Sequence, residues 1–568
     1  MLNKQIAEIF RKTAQILEIK GDNPFKIRAY QRAADSLENV NEDLEDIERQ
    51  GRLCQIPGIG HDLAQMISEF IGYGAIKSYD ELKQTIPEGL LELLSIPGVG
   101  PKTAKLLYDQ LKISDIQTLE KYAKEGRLQA LPGFKVKHEE NILRGIELVK
   151  KGMERMDLGT AYRSAQKFVG ILNKHPAVKR IEAGGSLRRM KETVRDIDIL
   201  VASNKPREIM DDFVKIKEVK SVLGQGPTKS SVVTKEGVQV DLRVVDEKSF
   251  GSALMYFTGS KAHNIRLRQV AIKKGLKLSE YGVFKKEKNI AAGFSEKEIY
   301  RLLGMPYIEP ELREDSGEIE AAAKQKLPDL IKLEDIKGDL HMHSTYSDGN
   351  YSMEDMALAA EKKGYEYIAF TDHSISLKVA NGLDLHALAK KRAEIEKLNK
   401  ELKIKILFGT EVELDADGKT DYSDKVLSEF DIVIGAIHSG FRQSKQRVTK
   451  RLIKACLNRH IDMIAHPTGR LWTVREAYEV DFTAFFKAAG DTGTFLEISS
   501  FPTRLDLNDV NARRAKEAGV GLAISTDSHH IEQLDYVKFG VATARRAWLT
   551  KKDVVNTLSL KELMKVKK

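Results

Sequence analysis

Two cysteines in 568 residues are too few for a disulfide framework, and Cys54 and Cys456 stand far apart in the chain. Their scarcity points to a reducing compartment. No run approaches the ~18 apolar residues that a membrane span needs. The N-terminal stretch MLNKQIAEIFRKTAQILEIKG is charged throughout. It lacks the apolar centre of a secretory signal and reads as an amphipathic helix. No low-complexity tract interrupts the chain. A cytoplasmic protein is expected. Acidic residues fall short of basic ones, leaving a formal net charge of +9. That excess suits a polyanion partner, and equally a plain basic surface. The length exceeds what one ordinary core supports, so several domains are expected.

Residues 1–150 carry a repeated motif. LCQIPGIGHDLAQMISEFI (Leu53–Ile71) and LLSIPGVGPKTAKLLYDQL (Leu93–Leu111) each give an apolar lead-in, P-G-x-G, and an amphipathic helix. A third copy, LQALPGFKVKHEENILRGI, keeps the first glycine but has Lys135 in place of the second. Glycine permits positive φ and close approach of another backbone. The following helix points its amides and positive dipole end outward, where a phosphate fits. This is the helix-hairpin-helix pattern, which grips DNA backbone through Gly58, Gly60, Gly98 and Gly100 without reading bases. A single copy would be equally at home as a turn between packed helices; the repetition favours DNA. The third copy reads as structural. Arg32 suits a 5′-phosphate at a gap, and equally a solvated helix face.

Residues from 155 onward mix strands and helices. In GGSLRRMKETVRDIDIL (Gly184–Leu200), Asp196 and Asp198 lie in an alternating apolar run. Period two puts both carboxylates on one strand face, where they repel unless a cation lies between them. Asp241, in VQVDLRVV, completes a set able to hold two Mg²⁺ ions roughly 3.5–4 Å apart, the arrangement of nucleotidyl transfer. Gly185 and Ser186 can offer an amide and a hydroxyl to phosphate oxygens, and Arg188 and Arg189 guanidinium donors.

Nine of the thirteen histidines follow residue 340. Short apolar runs there alternate with helical segments, a rhythm of parallel strands and crossover helices. His341, His343, His373, His438, His466 and His529 fall where the expected strands end, as do Asp348, Glu411 and Asp527. In a parallel barrel these ends converge on one mouth. Imidazoles with carboxylates suit Mn²⁺, Zn²⁺ or iron, and nine ligands suffice for two or three ions. Glu413 shares a face with Glu411 and is a weaker candidate. His530 faces away from His529, and His386 and His460 sit in helical runs as structural or surface residues.

Residues 1–315 resemble the family X, DNA polymerase beta-like enzymes, through the two hairpins, G-S-L-R-R, the three aspartates and YFTGSKAHNIRLR (Tyr256–Arg268). The resemblance implies that Asp196 and Asp198 bind both metals and that Asp241 helps accept the primer 3′-hydroxyl proton. Ser186 and Arg189 would contact the incoming triphosphate, Tyr256, Phe257 and Gly259 the sugar, Asn264 the base edge and Arg268 the template. On residue chemistry alone, the aromatic pair suits a core equally well. The position that carries a Schiff-base lysine in lyase-active members is Met66 here; methionine forms no imine, so deoxyribose-phosphate lyase activity is not expected. Residues 334–568 resemble the PHP domain through H-x-H-S-T-Y-S-D-G, T-D-H, G-T-E, I-H-S, A-H-P and S-T-D-S-H. This implies a distorted (β/α)7 barrel with a trinuclear Mn²⁺ or Zn²⁺ site formed by the nine ligands. The whole is similar to bacterial and archaeal family X polymerases with a C-terminal PHP domain.

The expected fold is thus multidomain: a helical helix-hairpin-helix region, an α+β nucleotidyltransferase core and an α/β PHP barrel. The expected boundaries are 1–85 and 86–150 for two helix-hairpin-helix DNA-binding parts, 151–315 for the catalytic and nascent-base-pair region, 316–333 for a linker and 334–568 for the PHP domain. The expected activity is gap-filling DNA synthesis in repair, with 3′-5′ exonuclease and further 3′-phosphatase and abasic-site endonuclease activities. Partners would be gapped or nicked duplex DNA and dNTPs, with a monomeric chain. Competing readings are a nucleotidyltransferase acting without template or on RNA, and a DNA-end-binding scaffold with vestigial catalysis.

Overall fold

The computed structural model describes residues 2–40, 44–96, 98–150, 155–285, 288–291, 293 and 295–568. Two compact units emerge: Met1–Met156, Ala161–Arg189 and Thr193–Gln325 form one, and Asp157–Thr160, Met190–Glu192 and Lys326–Lys568 the other. Among the described residues, no helix is long and apolar enough to cross a membrane.

The first unit begins with helices. Asn23 caps Pro24–Asn39 through the Phe25 amide, and proline at the first turn sacrifices no needed N–H. Ile6, Phe10, Leu37, Ile56, Ile59 and Ile67 form one core. Leu93, Ile96, Val99, Leu107, Leu128 and Ile142 form a second core, so the second and third repeats share it. Beyond them in the chain comes a five-stranded mixed sheet in the order Arg180–Ala183, Asp196–Ala202, Gln239–Val245, Lys229–Thr234, Val219–Gln225. The central pair, Asp196–Ala202 and Gln239–Val245, runs parallel with Asp198 opposite Asp241. The stretch read as a linker, 316–333, carries the helix Glu318–Ala323. Its Glu318 is fully buried and lies 2.6 Å from His263 Nδ1. The division between units falls inside it, after Gln325.

The second unit is a seven-stranded parallel sheet in strict sequence order: Gly338–Met342, Tyr367–Phe370, Lys405–Glu413, Ile432–Ala436, Met463–Ile464, Phe495–Ser499 and Leu522–Ser525. A parallel bridge between Met342 and Ser528 nearly closes it into a barrel. The strands are buried on both faces, as sheathed parallel strands must be. Alternate residues divide between two clusters. Ile368, Ile406, Phe408 and Val433 pack with helix residues such as Leu388, Leu452 and Phe485, so they face outward. Tyr367, Ala369, Leu407, Ile434, Phe495 and Ala523 form the interior cluster, which Val555 and Leu563 join. Continuing the interior parity to the strand ends gives His373, Glu411, His438, Glu497 and Asp527. His341 and His343 break the parity of Leu340. A register shift between Asp339 and Met342 re-aims them, as bulges do. His466 is reached through a positive φ of 28°.

Candidate active sites and DNA-binding hairpins

The hairpin glycines behave as the motif requires. Gly58, Gly98 and Gly133 have φ of +85°, +89° and +81°. Gly60 and Gly100 cap helices His61–Tyr73 and Pro101–Leu111 with φ of −89° and −91°. Those second-glycine values suit any residue, so Lys135 leaves the third turn intact; Phe134 N still donates to Leu131 O at 3.1 Å. Pro97 of the second motif lies outside the described residues. Arg32 is exposed, and its Cβ sits 3.6 Å from where a Cβ on Gly58 would stand, which puts it at the first hairpin. A groove of about 330 Å³ lies between the second and third hairpins, lined by Gly98, Lys102, Gly133 and His138 among others.

In the central sheet, Asp196, Asp198 and Asp241 occupy one face of adjacent strands. Burial, then repulsion from Asp196 and Asp241, pushes the Asp198 carboxyl up to about 7. Burial and Asp241 raise Asp196 likewise. Asp241 pairs with Lys229 at 3.1 Å and accepts from Gln239 at 2.9 Å. The face is therefore short of positive charge around Asp196 and Asp198, which a divalent cation would supply. Gly185 is held at φ +60°, with the Asp198 carboxylate standing where a Cβ would need to go, so only glycine fits. Its neighbour Ser186 is half-buried. The two arginines are engaged within the chain. Arg188 forms a bidentate pair with Glu296 at 2.9 and 2.6 Å, so the free phosphate donor expected there is instead a structural cross-link. Arg189 Nε donates to Glu314 at 2.9 Å and Nη1 to Thr258 O at 2.5 Å. Gly259 lies 3.1 Å from Arg189 through its would-be Cβ. Tyr256 and Phe257 meet edge to face at 5.1 Å, and Arg243 covers Phe257 at 4.4 Å. Asn264 donates to Tyr256 O at 2.7 Å, while Arg268 is exposed.

Because Asp198 holds a proton below about pH 7, a divalent cation must displace it. Mg²⁺ affinity at this site is expected to fall as pH drops from 7 to 5. Titration calorimetry on the full chain measures this; a pH-independent affinity would refute it.

At the barrel mouth, three sets of ligand atoms lie within 4.8 Å of one another: His343, Asp348, His373 and His529; His341, His343 and Asp527; His373, Glu411 and His438. His466 Nε2 adds a contact to Glu411 at 3.0 Å. All nine expected residues therefore meet. The imidazoles are oriented from behind. His341 Nδ1 lies 2.8 Å from Glu497, His438 Nδ1 2.8 Å from Glu413, and His529 Nδ1 2.9 Å from Asp527 O. Each anchor leaves Nε2 facing the cluster, the usual backing of a metal-bound histidine. His341 Nε2, both nitrogens of His343, His373 Nδ1, Glu411 Oε2 and His466 Nδ1 are buried without a hydrogen-bond partner. Orphaned atoms of this kind fit divalent cations. His530 instead meets Tyr351 OH at 3.3 Å, and His386 is exposed.

Of the layer behind the ligands, Glu413 is visible in the sequence as a weaker candidate, and it backs His438; the rest is not. Glu497 sits in TFLEISS, a charged residue in an apolar strand, and that was its only signal. Burial pushes its carboxyl up to about 7 against the pull of His341. Lys391 is fully buried and pairs with Asp372 at 2.8 Å while donating to Phe370 O and Gly409 O. Asp372 in turn accepts from Ser344 N at 2.8 Å and Ser347 Oγ at 2.8 Å, fixing the loop between His343 and Asp348. Replacing Lys391 by methionine leaves a buried uncompensated carboxylate. It is expected to destabilise the fold by about 3–5 kcal/mol, read by chemical denaturation. An unchanged transition midpoint would contradict this role.

A two-aspartate strand in one unit and an imidazole-rich barrel mouth in the other define a nucleotidyltransferase joined to a metal-dependent phosphoesterase. Family models agree: a helix-hairpin-helix domain matches residues 1–76, a tandem helix-hairpin-helix 90–147, the DNA polymerase beta thumb 253–314 and the PHP domain 339–500. The chain belongs to the family X DNA polymerases that carry a PHP domain. It is 42% identical over 567 residues, 99% of both chains, to the DNA polymerase/3′-5′ exonuclease PolX of Bacillus subtilis (strain 168). Over 345 residues, 55% of this chain and 56% of the other, it is 28% identical to DNA polymerase lambda of Rattus norvegicus. A probable phosphatase of Thermoanaerobacter sp. (strain X514) is 32% identical over 247 residues, 40% of this chain and 95% of its own.

Proposed function

We infer that this chain is a DNA-directed DNA polymerase with 3′-5′ exonuclease activity, acting in repair. It fills short gaps by template-directed dNTP addition and trims unsuitable 3′ ends. The observation that carries this reading is the convergence of two distinct ligand sets, one in each unit of a chain similar to PolX along its whole length.

In the first unit Asp196, Asp198 and Asp241 would hold two Mg²⁺ ions, whose charge would favour attack by the primer hydroxyl and offset that on the leaving pyrophosphate. Asp241 would help accept the primer 3′-hydroxyl proton. Gly185, Ser186 and Arg189 would meet the triphosphate, and Tyr256, Phe257, Gly259 and Asn264 the sugar and base. Gly58, Gly60, Gly98, Gly100, Arg32 and Arg268 would track the backbone of gapped or nicked duplex. Met66 leaves the first hairpin helix without an imine-forming lysine at that position, so lyase activity is not expected. In the second unit His341, His343, Asp348, His373, Glu411, His438, His466, Asp527 and His529 would hold up to three Mn²⁺ or Zn²⁺ ions, whose charge would activate water and offset that on the phosphoryl group. The same centre suits 3′-phosphatase and abasic-site endonuclease reactions. The chain would act as a monomer in the cytoplasm, with functional parts at 1–85, 86–150, 151–315 and 334–568.

The test is extension and degradation of a labelled primer on gapped DNA, with Mg²⁺ or Mn²⁺ varied. Extension should need the template base opposite the gap, and shortening should proceed without dNTPs. Template-independent addition would favour the competing nucleotidyltransferase reading.

A further inference from the structure

The orphaned atoms at the barrel mouth are of two kinds. Imidazole nitrogens and a carboxylate oxygen suit cations. Three others are donors: Arg504 Nη1, Ser499 Oγ and Ser525 Oγ, all buried without a partner. Ser499 and Ser525 are paired in register on adjacent strands. They are fully buried and continue the interior parity of Glu497 and Asp527. Arg504 lies in the loop after strand Phe495–Ser499, beyond residue 500 where the PHP match ends. Its Nε is 3.3 Å from Asp527 Oδ2, so the guanidinium reaches the ligand cluster itself. Arg470 Nε donates to Arg504 O, and Arg470 Nη2 to Leu505 O, both at 2.9 Å, which fixes the loop backbone.

A guanidinium and two hydroxyls beside a cation-binding cluster need acceptor oxygens. An anion with several oxygens satisfies the donors and the cations together, and phosphate is the anion of that shape and charge. We infer that Arg504 is a catalytic residue of the PHP centre, binding a non-bridging oxygen of the substrate phosphate, with Ser499 and Ser525 lining the same pocket. The inference rests on the phosphoesterase reading of that centre. In the reaction, water adds to phosphorus and the P–O3′ bond breaks. One water proton goes to the leaving O3′ and the other stays on the released 5′-mononucleotide. Charge grows on the non-bridging oxygens on the way, and a fixed guanidinium meets it without reorganisation.

The experiment uses the full chain carrying D198A, so that nucleotide has no complete metal set at the polymerase site. Wild-type Arg504, R504K and R504Q are compared in three respects: bound metal, dTMP affinity by equilibrium dialysis, and the second-order rate constant for primer shortening. R504Q should retain its metal, lose roughly 100-fold in that rate constant, and bind dTMP at least about tenfold more weakly. R504K, a point charge without the planar fork, should fall between. Unchanged dTMP affinity and shortening rate in R504Q would overturn the inference. So would losses that merely track lost metal, which would make Arg504 a support for Asp527 alone. A parent chain that neither binds dTMP nor shortens the primer would overturn the phosphoesterase reading, and this inference with it.

Discussion

Replacing Asp198 by alanine is expected to reduce primer extension on the order of a thousandfold or more, while 3′-end shortening continues. Asp198 is the carboxylate that burial and its neighbours strain most, with Asp196 two residues away on its own face and Asp241 directly opposite. Removing it leaves two carboxylates, one of them already held by Lys229 and Gln239. Two such groups are too few to hold a pair of dications in place for a triphosphate. The fold should survive, because losing a carboxyl with a raised pKa removes a desolvation cost from the sheet. The candidate ligands of the barrel mouth belong to the other compact unit. Loss of both activities with normal DNA binding would show that the sites are not separate; retained extension would remove Asp198 from the metal set.

How far the sequence reached depends on the distance over which a role is defined. The aspartates were legible because period two within one strand fixes their common face, and the parallel register then brings Asp241 beside them. The nine barrel residues were legible as strand ends. What strand ends do not reveal is how His341 turns inward: that needs the register shift after Asp339. Nor do they reveal its anchor, since Glu497 is 156 positions away and has no motif of its own. Arg188 illustrates the opposite error. Beside a phosphate loop it reads as a donor for substrate, yet its fork closes on Glu296, 108 positions on. The third hairpin reads as structural because Lys135 replaces a glycine. Only the first glycine of each turn has positive φ, so the replaced one carried no conformational requirement. The stretch 316–333 reads as a tether by composition, but Glu318 is drawn into the fold by His263, a partner 55 positions earlier.

The second large effect is expected at Glu411. Its two oxygens face five imidazoles: Oε1 lies 3.4 Å from His438 and 3.0 Å from His466, and Oε2 lies 3.4, 3.6 and 2.9 Å from His341, His343 and His373. No other ligand candidate touches so many. In the protein without metal this carboxylate is held well below its usual range: burial opposes ionisation, but His438, His341 and His373 overcome it. The same contact, against burial, raises His373 to about 10. His341, His373 and His438 are thus raised by the carboxylates and hold protons that cations would displace, whereas burial pushes His343 down to about 4 and His466 down to about 3. Replacing Glu411 by alanine removes the carboxylate that most imidazoles share, leaving Asp348 and Asp527 as the acidic groups among the candidate ligands. The variant is expected to lose at least one bound ion per chain, measured by elemental analysis, and roughly a thousandfold or more of 3′-end shortening, with primer extension unchanged. Glu411→Gln keeps the shape but not the charge. It should lose metal nearly as completely, which separates electrostatics from packing. If Glu411→Ala kept its full metal content and its nuclease rate, the barrel mouth would not be the hydrolytic centre.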